Sequence, residues 1–303
     1  MTAPEDFHPD LDPLARELPQ HIIDAAMLPG LRKIRDVQIS RTSSEGIETI
    51  PLSSGAGMRV VRGSGVTGAP APALLWLHGG GYVTGSAHQD EPLYRRYATE
   101  LGITVGAVGY RLAPEHPYPA ALDDCDEALS ALAELPGVDE TRVAVGGSSA
   151  GAGLAAALAI RLRDRGDDRV CFQLLVYPML DDRSTQRTHP NAENFRLWDK
   201  ASNEFGWSAY LGDTDPALAV PARQADLSGL PAAWIGVGTL DLFRDEDVEY
   251  GKRLRRAGVR CEVNVVPGAF HGFYSVAPEV PISREFFATQ CDALRAAFGL
   301  DGL

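Results

Sequence analysis

Residues 143–153 read VAVGGSSAGAG: an apolar, β-branched run breaks into glycines around two adjacent serines, Ser148 and Ser149, and an alanine-rich stretch with helical character follows. Strand, glycine corner and helix are thus compressed into a few residues. A nucleotide-binding turn would need G-x-G-x-x-G or a G-K-[ST] ending, and neither pattern can be laid over Gly146, Gly147, Gly151 and Gly153. The pattern that fits is G-x-S-x-G, met by Gly147, Ser149 and Gly151; centring it on Ser148 would require glycine at 150, where the chain has Ala150. Ser149 is therefore the candidate nucleophile. A serine on such a turn occupies strained dihedrals, and neighbours without side chains let the backbone pass close by. Its hydroxyl then stands at a helix N-terminus, where the dipole and free N–H groups favour developing negative charge.

Working outward, ALLWL (73–77), ITVGAV (103–108), RVAV (142–145), VCFQLLVY (170–177), AAWIGVG (232–238) and CEVNVV (261–266) read as buried strands closed by Gly or Pro. Between and after them, 91–102, 119–135, 150–166, 244–258 and 283–298 carry helical spacing. This alternation predicts an α/β fold, a mostly parallel sheet with helices on both faces, in a single domain spanning 1–303. Two regions break the rhythm: residues 1 to about 35, and about 182–222, some forty residues without a buried strand. Segments this long usually serve as lids or binding elements, which predicts a small helical cap built from both. Trp198, Phe205, Trp207 and Tyr210 in the second region fit either a local core or a substrate lining.

The formal charge of −13 repels a phosphate backbone over most of the surface and argues against a nucleic-acid partner. The acidic, proline-punctuated N-terminus has no apolar targeting core, and no stretch approaches a membrane-spanning length, so the expectation is a cytoplasmic protein without stable membrane insertion. Cys125, Cys171, Cys261 and Cys291 are far apart, suggesting free thiols rather than a disulfide framework or a metal site. No metal or organic cofactor is implied. An exposed sheet edge allows a homodimer.

A nucleophilic serine needs a base, an orienting carboxylate and donors for an oxyanion. His78-Gly79-Gly80-Gly81 follows the strand ALLWL, and its unhindered backbone can aim N–H groups at a reacting centre. Of seven histidines, His8 and His21 lie in the preface, His88 and His116 precede the elbow and His189 falls in the cap region. His271 alone follows the last strand. Asp241 follows AAWIGVG in the same way, with Asp245 as its rival in the same turn. Both triad candidates sit just past strand carboxyl ends, the edge where open α/β sheets build sites. The chain order Ser149, Asp241, His271 is that of the α/β-hydrolase triad.

With HGGG at 78–81, YRLAPEHPYPAALDD at 110–124, the elbow at 147–151, YPMLD at 177–181, DLSGLPAAWIGVGTLDLFRDE at 226–246 and HGF at 271–273, the chain resembles the hormone-sensitive-lipase-like esterases, bacterial family IV of the α/β-hydrolases. The resemblance implies a serine carboxylesterase for small-molecule esters of short to medium acyl length. It implies an oxyanion hole from the amides of Gly80, Gly81 and Ala150, and structural or orienting roles for Asp245 and Glu246. Ser148 stands where aspartate or threonine is common in that family, Leu242 where proline is common, and Val220-Pro221 where Ser-Pro is frequent; none touches the chemistry. Two alternatives remain open: an amidase or peptidase using the same triad, and a non-catalytic ligand-binding protein on the same fold.

Overall fold

A computed structural model describes residues 6–20, 23–41, 45–63, 70–189 and 191–300. His21 and Pro190, with the first five residues, lie outside the described residues. In chain order the elements are α1 (Asp12–Glu17), α2 (Leu28–Arg41), β1 (Glu48–Pro51), β2 (Gly57–Arg62), β3 (Ala71–Leu77), α3 (Glu91–Leu101), β4 (Thr104–Gly109), α4 (Ala120–Ala133), β5 (Val138–Ser148), α5 (Ala150–Asp164) and β6 (Val170–Val176). The chain continues through α6 (Lys200–Leu211), α7 (Pro216–Ala219), β7 (Ala232–Leu240), α8 (Arg244–Arg256), β8 (Cys261–Phe270), α9 (Phe273–Val276) and α10 (Pro281–Phe298). Short 3₁₀ turns at Asp182–Gln186, Ala192–Asn194 and Pro221–Arg223 complete the 182–222 region.

The sheet has eight strands in the order β1-β2-β4-β3-β5-β6-β7-β8. Pairings from β4 through β8 are parallel, and β1 and β2 join as an antiparallel hairpin against β4. All six strands expected from the apolar runs form; the hairpin adds two that the runs did not signal. Alternation along each strand divides the core. On β3, Ala73, Leu75 and Leu77 face α4, α5 and α8, while Leu74 and Trp76 face α3 and α10. Both faces are thereby covered, which explains why the central strands are apolar throughout.

Among the described residues, no helix is long and apolar enough to cross a membrane. All four cysteines are free, and Cys125, Cys261 and Cys291 are buried. The described parts of the two regions set apart by the sequence meet at the carboxyl end of the sheet. The backbone N–H of Ile23 donates to Ser202 Oγ on α6 at 3.0 Å, and Arg196 donates to the Ala15 carbonyl at 2.7 Å. Arg32 on α2 bridges to the carbonyls of Val83 and Ala113. The N-terminal helical region runs further than expected, since α2 continues to Arg41.

All four aromatics of the second region belong to the core or pack against it, and Trp198 also borders a cleft. Tyr210 stacks on Tyr82 at 4.0 Å and Trp207 leans on the same ring, both buried in core, while Phe205 is partly buried beside them. Trp198 lines the cleft above Ser149.

Candidate active site

Three registered strand pairs fix where the candidate residues emerge. Leu77 pairs with Gly147, so His78-Gly79-Gly80-Gly81 leaves β3 beside the end of β5. Ser148 pairs with Val176, and the Ser149 N–H then donates to the Val176 carbonyl at 2.9 Å. Leu240 pairs with Phe270 beyond a register shift, so Asp241 and His271 follow neighbouring strands at the same level. The strand β8 runs through Pro267 and Gly268 to Phe270, four residues past the apolar run, and this extension carries His271 to the rim.

Ser149 has φ 55° and ψ −121° and stands immediately before α5. Close packing accounts for the flanking glycines. A Cβ on Gly147 would come within 2.4 Å of the Leu77 carbonyl oxygen, and one on Gly151 within 2.0 Å of the same atom. Backbone strain gathers around the site: the non-glycine residues with positive φ among those described are Tyr82, Ser149, Tyr177 and Leu197. Ser149, Tyr177 and Leu197 line one cleft of about 330 Å³, and Tyr82 follows the glycine run.

In that cleft His271 Nε2 lies 3.0 Å from Ser149 Oγ, and His271 Nδ1 lies 2.8 Å from Asp241 Oδ2. The other oxygen, Asp241 Oδ1, accepts the Phe243 N–H at 2.9 Å. All three side chains are buried. The imidazole is boxed by the edges of Tyr177 at 4.6 Å and Phe243 at 5.2 Å, which lowers the dielectric around it. Asp245 turns away and pairs with Arg244 at 2.9 Å, with its side chain 41% exposed. The carboxylate on the imidazole is therefore Asp241.

The glycine run leans over the nucleophile. Gly80 has φ 120° and Gly81 φ 60°, and the Gly80 carbonyl is occupied by the N–H groups of Val83 and Thr84. Neither the Gly80 nor the Gly81 amide donates a hydrogen bond among the described residues. Trp198 explains the absence of a side chain at 81, where a Cβ would stand 2.1 Å from its ring. His78, although next to the site, is no base: burial holds its imidazole down at about 4, its Nδ1 bonds the Gly79 carbonyl, and its ring stacks on Tyr110 at 4.1 Å.

Glu246 braces the site from behind. Its carboxyl accepts the N–H groups of Leu180 and Asp181 and the Ser184 hydroxyl, tying α8 to the segment after β6. Burial pushes it up to about 8 despite these bonds. The adjacent Asp247, fully buried, has no hydrogen-bond partner on either carboxyl oxygen among the described residues. Burial drives it well above the carboxylate range, with the charges of Glu246 and Asp241 adding to the effect.

A carboxyl raised in the folded state is bound to its proton there and ionised when unfolded. Its contribution to stability is complete below the unfolded value near 3.8 and is lost as pH rises toward the folded value. Asp247→Asn removes that titration at nearly constant volume. Its melting temperature is expected to match the parent near pH 4 to 5 and to exceed it by a margin that widens toward pH 9. Parallel melting curves across that range would refute the assignment.

Sequence reasoning missed Asp90, Tyr177 and Leu197 as lining residues; for Glu246 the resemblance implied a structural or orienting role, and its partners at Leu180, Asp181 and Ser184 are what the structure adds. Asp90 opens a helix, where an acidic residue ordinarily reads as favourable to the dipole, so nothing in the pattern signals a cleft.

A family model described as the alpha/beta hydrolase fold matches residues 74–275. Esterase LipI of Mycobacterium tuberculosis is 41% identical over 72% of this chain and 70% of its own. Carboxylesterase NlhH of the same species is 33% identical over 98% of this chain and 99% of its own. Among solved structures, a bacterial heroin esterase superposes with a TM-score of 0.85 at 37% identity, covering 96% of this chain and 98% of that one. The shared fold and these relatives agree on one chemistry, hydrolysis of carboxylic esters, and the chain belongs to the hormone-sensitive-lipase-like esterases of the α/β-hydrolase superfamily.

Proposed function

We propose that the protein hydrolyses small carboxylic esters through an acyl-enzyme on Ser149. His271 takes the Ser149 proton as Oγ attacks the ester carbonyl, and Asp241 holds the imidazole with Nε2 facing the serine and stabilises its cation. The amides of Gly80, Gly81 and Ala150 receive the negative charge of the tetrahedral intermediate. His271 returns its proton to the departing alcohol, then deprotonates the water that releases the acid. The continuous line from Asp241 Oδ2 through His271 to Ser149 Oγ, 2.8 Å and 3.0 Å, carries this reading. A serine hydroxyl with an ordinary structural role has no need of a buried imidazole and a buried carboxylate in series.

A cleft of about 330 Å³ supports short to medium acyl groups. In this reading the segments before residue 36 and over 182–222 act as a cap that shields the acyl-enzyme from bulk water, with Trp198 as its contribution to the cleft wall. One experiment tests reaction and range together: turnover of nitrophenyl esters of increasing acyl length, with a burst equal to the enzyme concentration, and mass-spectrometric mapping of a fluorophosphonate label. The expected result is a burst, a maximum at short to medium chains, and the label on Ser149. A stable fold with no burst and no label, or with the label on another serine, would refute the mechanism.

A further inference from the structure

The catalytic cleft carries one carboxyl that the ester mechanism does not use. Asp90 sits just before α3 and lines the cleft together with Ser149, His271, Tyr177 and Trp198. Its side chain makes no capping bond to α3, although its position at the helix start would allow one. It turns instead toward β3, where Asp90 Oδ2 accepts the Trp76 indole N–H at 2.8 Å, with the Gln89 side chain as a second donor. That arrangement needs an acceptor, and a neutral amide oxygen would serve as well. The fold therefore explains the hydrogen bond but not the charge.

Among the described residues, no Lys or Arg lines the cleft. A carboxylate in a concave, largely apolar setting without a cation opposite it is costly, and a cationic ligand group would offset that cost. The neighbouring walls suit such a group, since the aromatic residues Tyr177 and Trp198 line the same cleft. The net charge of −13 adds a long-range attraction for positively charged substrates.

We propose that Asp90, with Tyr177 and Trp198, forms a subsite in the catalytic cleft for an ammonium group carried by the ester, so that cationic esters are preferred over neutral esters of the same shape. This rests on the ester-hydrolase reading of the Ser149 site and adds the chemical class of its substrate. Asp90 is a specificity residue: it meets the substrate remote from the scissile bond and takes no part in proton transfer.

The test uses matched pairs that differ only in charge. Choline acetate and 3,3-dimethylbutyl acetate place a trimethylammonium or tert-butyl group on the alcohol. The ethyl esters of 4-(trimethylammonio)butanoate and 5,5-dimethylhexanoate place them on the acyl side. For each pair the quantity read is the ratio of kcat/KM, cationic over neutral, in the intact protein and in Asp90→Asn, which retains an acceptor for Trp76. In the pair whose charge reaches the subsite, the ratio is expected to fall about tenfold in the variant, the size of a partly desolvated charge contact. The pair that responds assigns the subsite to the alcohol or the acyl side.

The parent protein supplies a second readout that does not depend on the variant folding. Burial pushes the Asp90 carboxyl up to about 6, so the ratio in the responding pair should rise between pH 5 and pH 7.5, whereas the trimethylammonium charge is fixed. Any pH dependence of the bond-breaking chemistry itself acts on both esters of a pair and cancels in the ratio. Tyr97 on α3, Tyr110 after β4, Tyr177 after β6 and Tyr274 on α9 are all pushed upward by burial and stay neutral in this range. On the segment of Asp90 itself, His88 contacts Arg59, and Glu91 pairs with Arg59 and Arg95; Asp90→Asn keeps these groups, so its residual slope measures their share.

A ratio that is flat with pH in the parent and unchanged by Asp90→Asn in both pairs overturns the subsite while leaving the esterase reading intact. Failure of the parent to hydrolyse the cationic esters while it turns over nitrophenyl esters also overturns the subsite alone; absence of turnover on the four esters together with no nitrophenyl burst and no label on Ser149 overturns both.

Discussion

Ser149→Ala is expected to lower kcat on a nitrophenyl ester by roughly 10⁵- to 10⁶-fold, the loss seen when the nucleophile of a serine triad is removed. The change deletes one oxygen whose partner is His271 Nε2 at 3.0 Å and leaves the backbone bonds of residue 149 in place. Those bonds hold the turn: its N–H donates to the Val176 carbonyl, and its carbonyl accepts the N–H groups of Gly153 and Met179. Alanine meets the same strain at φ 55° as serine does, so the melting temperature should move by only a few degrees. Residual turnover comes from the oxyanion donors and binding alone. Ser148→Ala, one residue earlier, should keep the acyl-enzyme burst, because the imidazole is directed at residue 149. A folded Ser149→Ala protein that retained more than about a tenth of the parent rate would remove Ser149 from the mechanism.

The elbow could be read from the amino acids because it is a local pattern with a physical cause. Gly147 and Gly151 are required by the Leu77 carbonyl passing over them, and the motif records that close approach directly. The strands β3 to β7 were legible for a similar reason, as largely apolar runs buried in the sheet, whereas the edge strand β8 carries the exposed Glu262 and the half-buried Asn264 between its apolar residues. The β1-β2 hairpin lacks that signal. In β1, ETIP, every residue is exposed or half-exposed, and the strand is only four residues long and ends in proline. Its place in the sheet is set by pairing with β2, which in turn pairs with β4, a relation between distant segments that no local composition records.

The same limit applied at the site. His271 was legible as the histidine after the last strand, but what positions it is the extension of β8 through Pro267 and Gly268 to the Leu240–Phe270 pair. Asp90 was illegible because its local context, the start of a helix, supplies a complete and misleading reason for an acid. Only the tertiary path of its side chain, away from the helix and toward Trp76, exposes it as a lining residue. Strain follows this division. Ser149, Tyr177 and Leu197, far apart in the chain, hold positive φ at three separate points around one cleft.

Asp241→Asn is expected to cost about 10⁴-fold in kcat, the loss associated with locking a triad histidine in the wrong tautomer. The hydrogen bonds of this particular carboxylate determine that outcome. Asp241 Oδ1 accepts the Phe243 N–H at 2.9 Å, so an asparagine amide must place its carbonyl oxygen there; the opposite orientation would set two donors against each other in a buried site. The NH₂ group is thereby fixed opposite His271 Nδ1. It can only donate, which forces Nδ1 to accept and moves the imidazole proton to Nε2, where it faces Ser149 Oγ. The imidazole then has no lone pair with which to take the serine proton, although every heavy atom stays near its place.

Asp245→Asn provides the contrast in the same turn. Its partner is the exposed Arg244, and loss of a surface ion pair of that kind should change kcat by less than about tenfold. Steady-state kinetics on the two variants, with melting curves to show that both fold, measure the difference directly. Equal losses from both would mean that the turn as a whole, rather than the Asp241 carboxylate, is what the reaction requires. A large loss confined to Asp245→Asn would transfer the orienting role to that residue and would mean that the Asp241–His271 contact is not the one used in turnover.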